Sequence, residues 1–177
     1  QDKLLDPNDK QRIIPGDMRQ FNIGERFECI FIAFNTFLHI LQNDDAIRCF
    51  KCIKKHLSPG GEFILDIVLP NPLFLSRSKK KSMLIMDFKD SLSGEIVKIY
   101  EKCKYDNATE ICKISWEYRY QQDPSKNKRF QFQMRMYYPD TINRLLIDNK
   151  FKISKIYGDY QMNPLTEGSP LQIYKIK

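Results

Sequence analysis

Residues 27–68 hold the pattern that most restricts how this chain can fold. "FECIFIAF" (27–34) is an apolar run of the kind a parallel strand buried on both faces shows. "NDDAIRCFKCIKKHL" follows with helical spacing. Asn43, Asp44 and Asp45 suit the positive N-terminal end of that helix, and Lys54, Lys55 and His56 its negative C-terminal end. Ile47, Phe50, Ile53 and Leu57 give it one apolar face. "SPGG" then stops the helix, because Pro cannot continue it and Gly can adopt positive φ. "EFILDIV" resumes as a second buried strand, so the segment reads as a right-handed βαβ unit.

The first strand ends in residues that do not suit a core. In "FIAFNTFLHI" (31–40), Asn35, Thr36 and His39 interrupt an otherwise apolar run. Buried polar groups without partners cost roughly 1–3 kcal/mol each, so these three are either paired or used. In an open α/β sheet the carboxyl ends of the strands are where ligands bind. By the same argument Asp17, after the expected short strand "RIIPG", stands at such an end. The plainer alternatives are that Asp17 and Asn35 cap turns and that His39 is a hydrogen-bonded histidine at a strand end.

The rest of the chain reads as antiparallel. "EIVKIYEKCKY" and "EICKISWEYRY" flank an Asp106-Asn107 turn. Cys112, Ile114, Trp116, Tyr118 and Tyr120 alternate onto one face of the second strand. "RFQFQMRMYY" alternates likewise, with Phe130, Phe132, Met134, Met136 and Tyr138 on one side. A helix ("DTINRLLIDN") and two strands ("FKISKIYGDY", "LQIYKIK") close the chain. The expected architecture is α/β. Residues 1–70 form an open sheet core, 71–138 an antiparallel β insertion serving as lid or second layer, and 139–177 return to the core.

Composition narrows the function classes. With 42% hydrophobic and 29% charged residues in 177, the mixture is that of one globular domain. No apolar run reaches the roughly 18–20 residues that span a bilayer, so a membrane is not an expected partner. Five cysteines without framework spacing point to reduced thiols and a cytoplasmic protein. Cys49 and Cys52 form a CxxC, but on a helix and without a second pair, which reads as helix packing rather than a metal site. A net charge of +7 permits nucleic acid as a partner. The one basic cluster, Arg77-Ser78-Lys79-Lys80-Lys81, reads as a solvated loop, so nucleic acid is not the expected partner.

Taken in order, "GDMRQF", "FECIFIAFNTFLHI", "IKKHLSPGGEFILDIV" and "FKISKIYGDYQMNPLTEGSP" resemble the later motifs of class I S-adenosylmethionine-dependent methyltransferases. The resemblance implies a Rossmann-like sheet, an S-adenosylmethionine cofactor and a small-molecule acceptor. It implies that Asp17 accepts a hydrogen bond from the adenine amino group and that the Met18 amide meets the ring. The element 31–40 is similar to the "NSFAHL" element of glycine N-methyltransferase-like enzymes. That likeness turns the backbone of Ala33 and Phe34 toward the methionine part of the cofactor, points Asn35 at the acceptor and brings His39 near the cofactor. Such a reaction asks chiefly for alignment and exclusion of water. Aromatic walls suit a cationic sulfonium, a role open to Trp116, Tyr118 and Tyr120 if the antiparallel sheet folds over the strand ends. An aromatic stripe packed only as core is the alternative.

Two departures shape the expectation. "LDIVLPNP" carries no Arg where glycine-methylating relatives place one, so an amino-acid acceptor of that kind is not expected. The first strand, glycine-rich loop and ribose-binding acid of the family do not precede "GDMR", and none of the seven glycines forms such a loop. The reading is therefore an N-terminally truncated methyltransferase. A non-catalytic fragment or pseudoenzyme serving as an interaction module is the alternative, and an RNA methyltransferase a further one, although "FNTF" is a poor substitute for an "NPPY" tetrapeptide. A sheet without its central first strand leaves unpaired edges and an apolar face. The chain is accordingly expected to self-associate through them. In light scattering, a monodisperse 177-residue monomer would contradict this.

Overall fold

The computed structural model describes residues 13–76 and 82–177; the basic cluster 77–81 and the segment before Ile13 lie outside the described residues. Among the described residues, eight strands form two four-stranded sheets. The first contains β1 (Phe27–Ile32), β2 (Leu57–Val68), β7 (Ile153–Tyr157) and β8 (Leu171–Ile176), in the order β1-β2-β8-β7. The second is an antiparallel meander of β3 (Met83–Lys89), β4 (Ile96–Asp106), β5 (Ile111–Tyr120) and β6 (Lys128–Arg135). Three helices accompany them among the described residues: α1 (Asn43–His56), the single turn α2 (Pro72–Leu75) and α3 (Pro139–Asp148).

β1 and β2 pair in parallel, Cys29 beside Glu62 through Ile32 beside Leu65, with α1 as their crossover. Parallel pairing places both carboxyl ends at one edge of the sheet. Two glycines make the pairing possible. Gly60, near the start of β2, takes a φ of +80°. At Gly61 a Cβ would lie 3.0 Å from the Ser58 carbonyl oxygen and 3.1 Å from those of Phe27 and Glu28, so only glycine brings the start of β2 this close to β1.

α1 and α3 cover one face of this sheet. Phe50 stacks on Phe37 with centroids 5.3 Å apart and meets Phe63 and Phe151 edge-on, within a core that includes Ile53, Leu65, Ile142 and Leu146. The buried face of α1 is rotated from the expected one: Ala46, Cys49, Phe50, Ile53 and His56 point inward, while Leu57 already belongs to β2. His56 is accommodated because both ring nitrogens are paired. Nδ1 lies 2.7 Å from the Cys52 carbonyl and Nε2 accepts from the Ile23 amide at 3.1 Å, which fixes the Nδ1–H tautomer. β1 is not buried on both faces as its run of apolar residues suggests. It is an edge strand, with Cys29 exposed and Phe31 69% exposed.

Three further features differ from the sequence reading. Residues 13–16 form no strand. β3 was not expected, because "MLIMDFK" does not alternate; all seven of its residues are exposed at the edge of the second sheet. Cys103 and Cys112 are bonded to each other rather than free. The register explains their proximity: Cys103 pairs with Ile114 and Tyr105 with Cys112, so the two cysteines are diagonal neighbours on the inward face.

The sheets are joined where β6 runs into α3. Alternation stops there, and Met136 and Tyr137 are both buried as the chain leaves one sheet for the other. Tyr137 Oη donates to the Ile40 carbonyl at 2.6 Å. Gln172, fully buried in β8, donates through Nε2 to the Tyr137 carbonyl at 2.7 Å and the Val68 carbonyl at 3.2 Å, while its Oε1 accepts from Tyr174 Oη at 3.0 Å. Gln172→Leu preserves most of the volume but strips three buried polar groups of a partner. It is expected to destabilise the fold by at least about 2 kcal/mol, read as a lower urea midpoint at unchanged slope.

Candidate functional site

The carboxyl ends of β1 and β2 open into a cavity of about 720 Å³, roofed by the concave face of the second sheet. Phe34, Asn35, Leu38 and His39 line it from the β1 end, Val68 to Asn71 from the β2 end, and Glu101, Ile114, Trp116, Phe132 and Met134 from the roof. A mostly apolar concavity with a few convergent polar groups is the usual form of a small-molecule site.

Two of the polar residues that interrupt the β1 run, Asn35 and Thr36, hold the turn through hydrogen bonds. The chain leaves β1 through two successive left-handed residues, Phe34 at φ 54° and Asn35 at φ 62°. Such a conformation is uncommon outside glycine and persists only where surroundings hold it. Asn35 Oδ1 accepts from the Val68 amide at 2.6 Å, which ties the ends of the two parallel strands together. Thr36 Oγ1 donates to the Ala33 carbonyl at 2.7 Å, closing the turn. Phe37 and Leu38 then fill the core, whereas His39 stays exposed at the cavity wall, 6.1 Å from the Phe132 ring. Phe34 itself is 87% exposed, a large apolar ring at the mouth of the site.

Two carboxylates that the sequence reading gave no role belong to this site. Asp66, at an inward position of β2, accepts from Tyr160 Oη at 2.7 Å and more weakly from the Phe34 amide at 3.5 Å. It thereby holds the loop after β7 against the β1 turn, and the same carboxylate raises the Tyr160 pKa. Glu101 is 7% exposed and accepts from Trp116 Nε1 at 2.7 Å. Trp116 in turn meets Phe132 edge-on at 5.1 Å. The signal for Glu101 was present in the sequence: it occupies an inward position between Ile99 and Cys103 in an otherwise apolar alternation.

The remaining expected residues lie elsewhere. Asp17 and Met18 line a second cavity of about 560 Å³ beside the open face of β1, together with Ile30 and Ile32. Arg19 engages both Asp17 oxygens through Nε at 2.9 and 3.0 Å and bridges to Asp45 at 3.1 Å. Those hydrogen bonds hold the Asp17 carboxyl down to about 2. Tyr118 lies farther along β5 against Phe130, ring centroids 5.3 Å apart, and is not among the residues lining the larger cavity. The structure thus brings Phe34, Asn35, His39 and Trp116 together and leaves Asp17, Met18 and Tyr118 apart from them.

With this geometry the comparisons with known proteins can be weighed. No protein-family profile matches the chain, and no curated protein sequence matches it. Solved structures do match. Across 96% of the chain it superposes on 67% of a S-adenosylmethionine-dependent methyltransferase from Clostridium acetobutylicum ATCC 824, with TM-score 0.72 and 22% identity. It matches the CcbJ methyltransferase from Streptomyces caelestis over 92% of its own length and 65% of that chain, with TM-score 0.73 and 18% identity. The sugar N-methyltransferase KedS8 from Streptoalloteichus sp ATCC 53650 is matched over 90% and 60% of the two chains, with TM-score 0.64 and 12% identity. The fold is the Rossmann-like fold of S-adenosylmethionine-dependent methyltransferases. The chain spans about two thirds or less of the length of these three structures.

The Asn35 turn can be tested by separating its two demands. Asn35→Ala loses the acceptor for Val68 and keeps the left-handed penalty, while Asn35→Gly loses only the acceptor. The alanine variant is expected to be less stable than the glycine variant by about 1 kcal/mol, measured by chemical denaturation of both.

Proposed function

We propose that this chain has the fold and acceptor site of a S-adenosylmethionine-dependent methyltransferase acting on a small-molecule acceptor. The observation that carries the reading is the apolar cavity at the carboxyl ends of β1 and β2, in the fold of such enzymes, entered by a strained polar turn and roofed by an aromatic-bearing sheet. Of the known structures named above, one is described as a S-adenosylmethionine-dependent methyltransferase and another as a sugar N-methyltransferase.

The residues present fit part of the donor. The turn backbone at Ala33 and Phe34, with His39 beside it, suits the methionine end; Met18 and Asp17 suit the adenine. Each Asp17 oxygen already accepts two hydrogen bonds from Arg19, so an adenine amino group would take the place of one of them. Among the described residues no glycine-rich loop offers amides to the methionine carboxylate. When bound, S-adenosylmethionine supplies a methyl group already activated on a sulfonium. The protein's part is therefore orientation and exclusion of water. Asn35 holds the β1 and β2 ends in fixed relation, residues 71–138 act as the acceptor-binding layer, and the Asp66–Tyr160 pair closes one side. Trp116 and Phe132 present apolar walls to the acceptor, with Tyr118 extending that aromatic face along β5.

Isothermal titration of S-adenosylhomocysteine tests the reading, performed on this chain and on a form extended by the residues preceding Gln1 in its gene. Saturable one-to-one binding to either form is the expected result. Absence of binding to both would overturn the enzyme reading in favour of an interaction module.

A further inference from the structure

The face of the second sheet that points away from the cavity gathers cations that the sequence disperses. Strand register places Lys98, Lys102 and Lys104 of β4 beside Arg119 and Lys113 of β5, with Arg129 of β6 beyond them. Along β4 these lysines alternate with the buried Val97, Ile99 and Cys103, so their side chains share the solvent face. Lys104 pairs directly with Lys113, and like charges opposite each other on one face destabilise a sheet. The acids nearby are already engaged or peripheral. Asp87 pairs with Lys98, Asp106 ends β4, and Glu117 binds Arg119 at 2.9 Å and Arg129 at 3.9 Å. Among the described residues, Lys102, Lys104 and Lys113 form no ion pair.

Arg119 supplies a second, independent observation. Its guanidinium lies over the Tyr100 ring, 4.3 Å from the centroid, and its ion pair with Glu117 holds it there with 45% of the side chain exposed. A guanidinium plane fixed on an aromatic ring and open to solvent is a stacking surface for a nucleobase. Between it and the lysine pair, Ser115, Gln131 and Gln133 offer hydroxyl and amide groups that both donate and accept, as base edges require. From Lys98 to Lys104 the strand advances about 20 Å, with same-face residues about 6.8 Å apart, a spacing suited to successive phosphates of an extended strand. Among the described residues this stretch of the face presents no large aliphatic side chain, which a protein interface or a membrane surface would use as an anchor.

We propose that the outer face of the second sheet binds single-stranded nucleic acid, with Lys102, Lys104 and Lys113 on its phosphates and Arg119 stacked on a base. This face lies on the other side of the sheet from the cavity, so the proposal does not rest on the methyltransferase reading.

The experiment follows the anisotropy of a fluorescein-labelled single-stranded oligoadenylate of about ten nucleotides, titrated with the full chain across a salt series. Saturable binding that weakens with salt is expected. Combining Lys102→Gln, Lys104→Gln and Lys113→Gln is expected to weaken binding at least about tenfold and to reduce the log–log salt slope by about 2. Combining Lys51→Gln, Lys152→Gln and Lys155→Gln removes the same charge from exposed positions elsewhere and is expected to leave the slope nearly unchanged. Arg119→Lys keeps the charge and loses the plane, so it is expected to weaken binding several-fold at an unchanged slope. Should the first variant fail to fold by circular dichroism, Arg119→Lys decides by itself. Equal losses in the two triple variants, an Arg119→Lys response identical to wild type, or no saturable binding by the wild-type chain would overturn the proposal. Preference for phosphatidylserine vesicles over the oligonucleotide would overturn it too, and would assign the face to a membrane surface. The S-adenosylhomocysteine titration bears only on the cavity and is read separately.

Discussion

The hydrogen bond from the Val68 amide to Asn35 Oδ1 joins the ends of two parallel strands, and the candidate site is built outward from it. Parallel strands cannot be linked by a tight turn, so β1 and β2 are connected through α1 and arrive with their carboxyl ends side by side. At that edge the ladder stops and the next groups need other partners. Asn35 meets this need with its side chain, at the cost of a left-handed backbone that follows another at Phe34. The turn then has room to send Phe37 and Leu38 into the core while Phe34 and His39 face the cavity.

A second set of buried polar contacts decides where the roof sits. Gln172 and Tyr137 bind across β8, the β6–α3 crossing and the segment after the β1 turn, so the antiparallel sheet is placed by directional bonds as well as by apolar packing. Arg135 supplements this, pairing with Glu110 at 3.1 Å and with Asn43 at the start of α1 at 2.6 Å. Satisfied networks of this kind specify one arrangement among many that would bury similar area. The face of the roof that carries Trp116 and Phe132 is thereby held over the strand ends.

The open side of the molecule follows from the same topology. Among the described residues β1 has a strand on one side only, and Phe31 and Cys29 are exposed beside the cavity that Asp17 and Met18 line. In the solved methyltransferases the matched region is two thirds of the chain or less, and here β1 is the edge. The apolar composition of "FECIFIAF" suits a strand with neighbours on both sides, which is why its pattern overstated the burial found.

Much of the fold was legible in the sequence because it rests on local periodicity and on residues with restricted backbones. The βαβ unit, the hairpin near Asp106 and the helix of α3 follow from alternation, helical spacing and turn chemistry, none of which depends on distant partners. The helix of α1, by contrast, ends at His56, ahead of the expected stop at Ser58–Gly61, which lies within β2. β3 escaped because an edge strand exposed on both faces has no reason to alternate. The rotation of α1 that buries His56 escaped because it depends on Ile23 and Phe21, which the helix's own pattern does not contain. The sequence also marked Asn35, Thr36 and His39 as polar residues needing partners. Only the tertiary structure decided what those partners are, that Trp116 and Glu101 come to stand above them, and that Asp17 and Tyr118 stand apart. The reason is physical: a residue's type and spacing fix what it is able to bind, whereas the register of β4 against β5 and the crossing at Tyr137 fix which groups meet across one cavity.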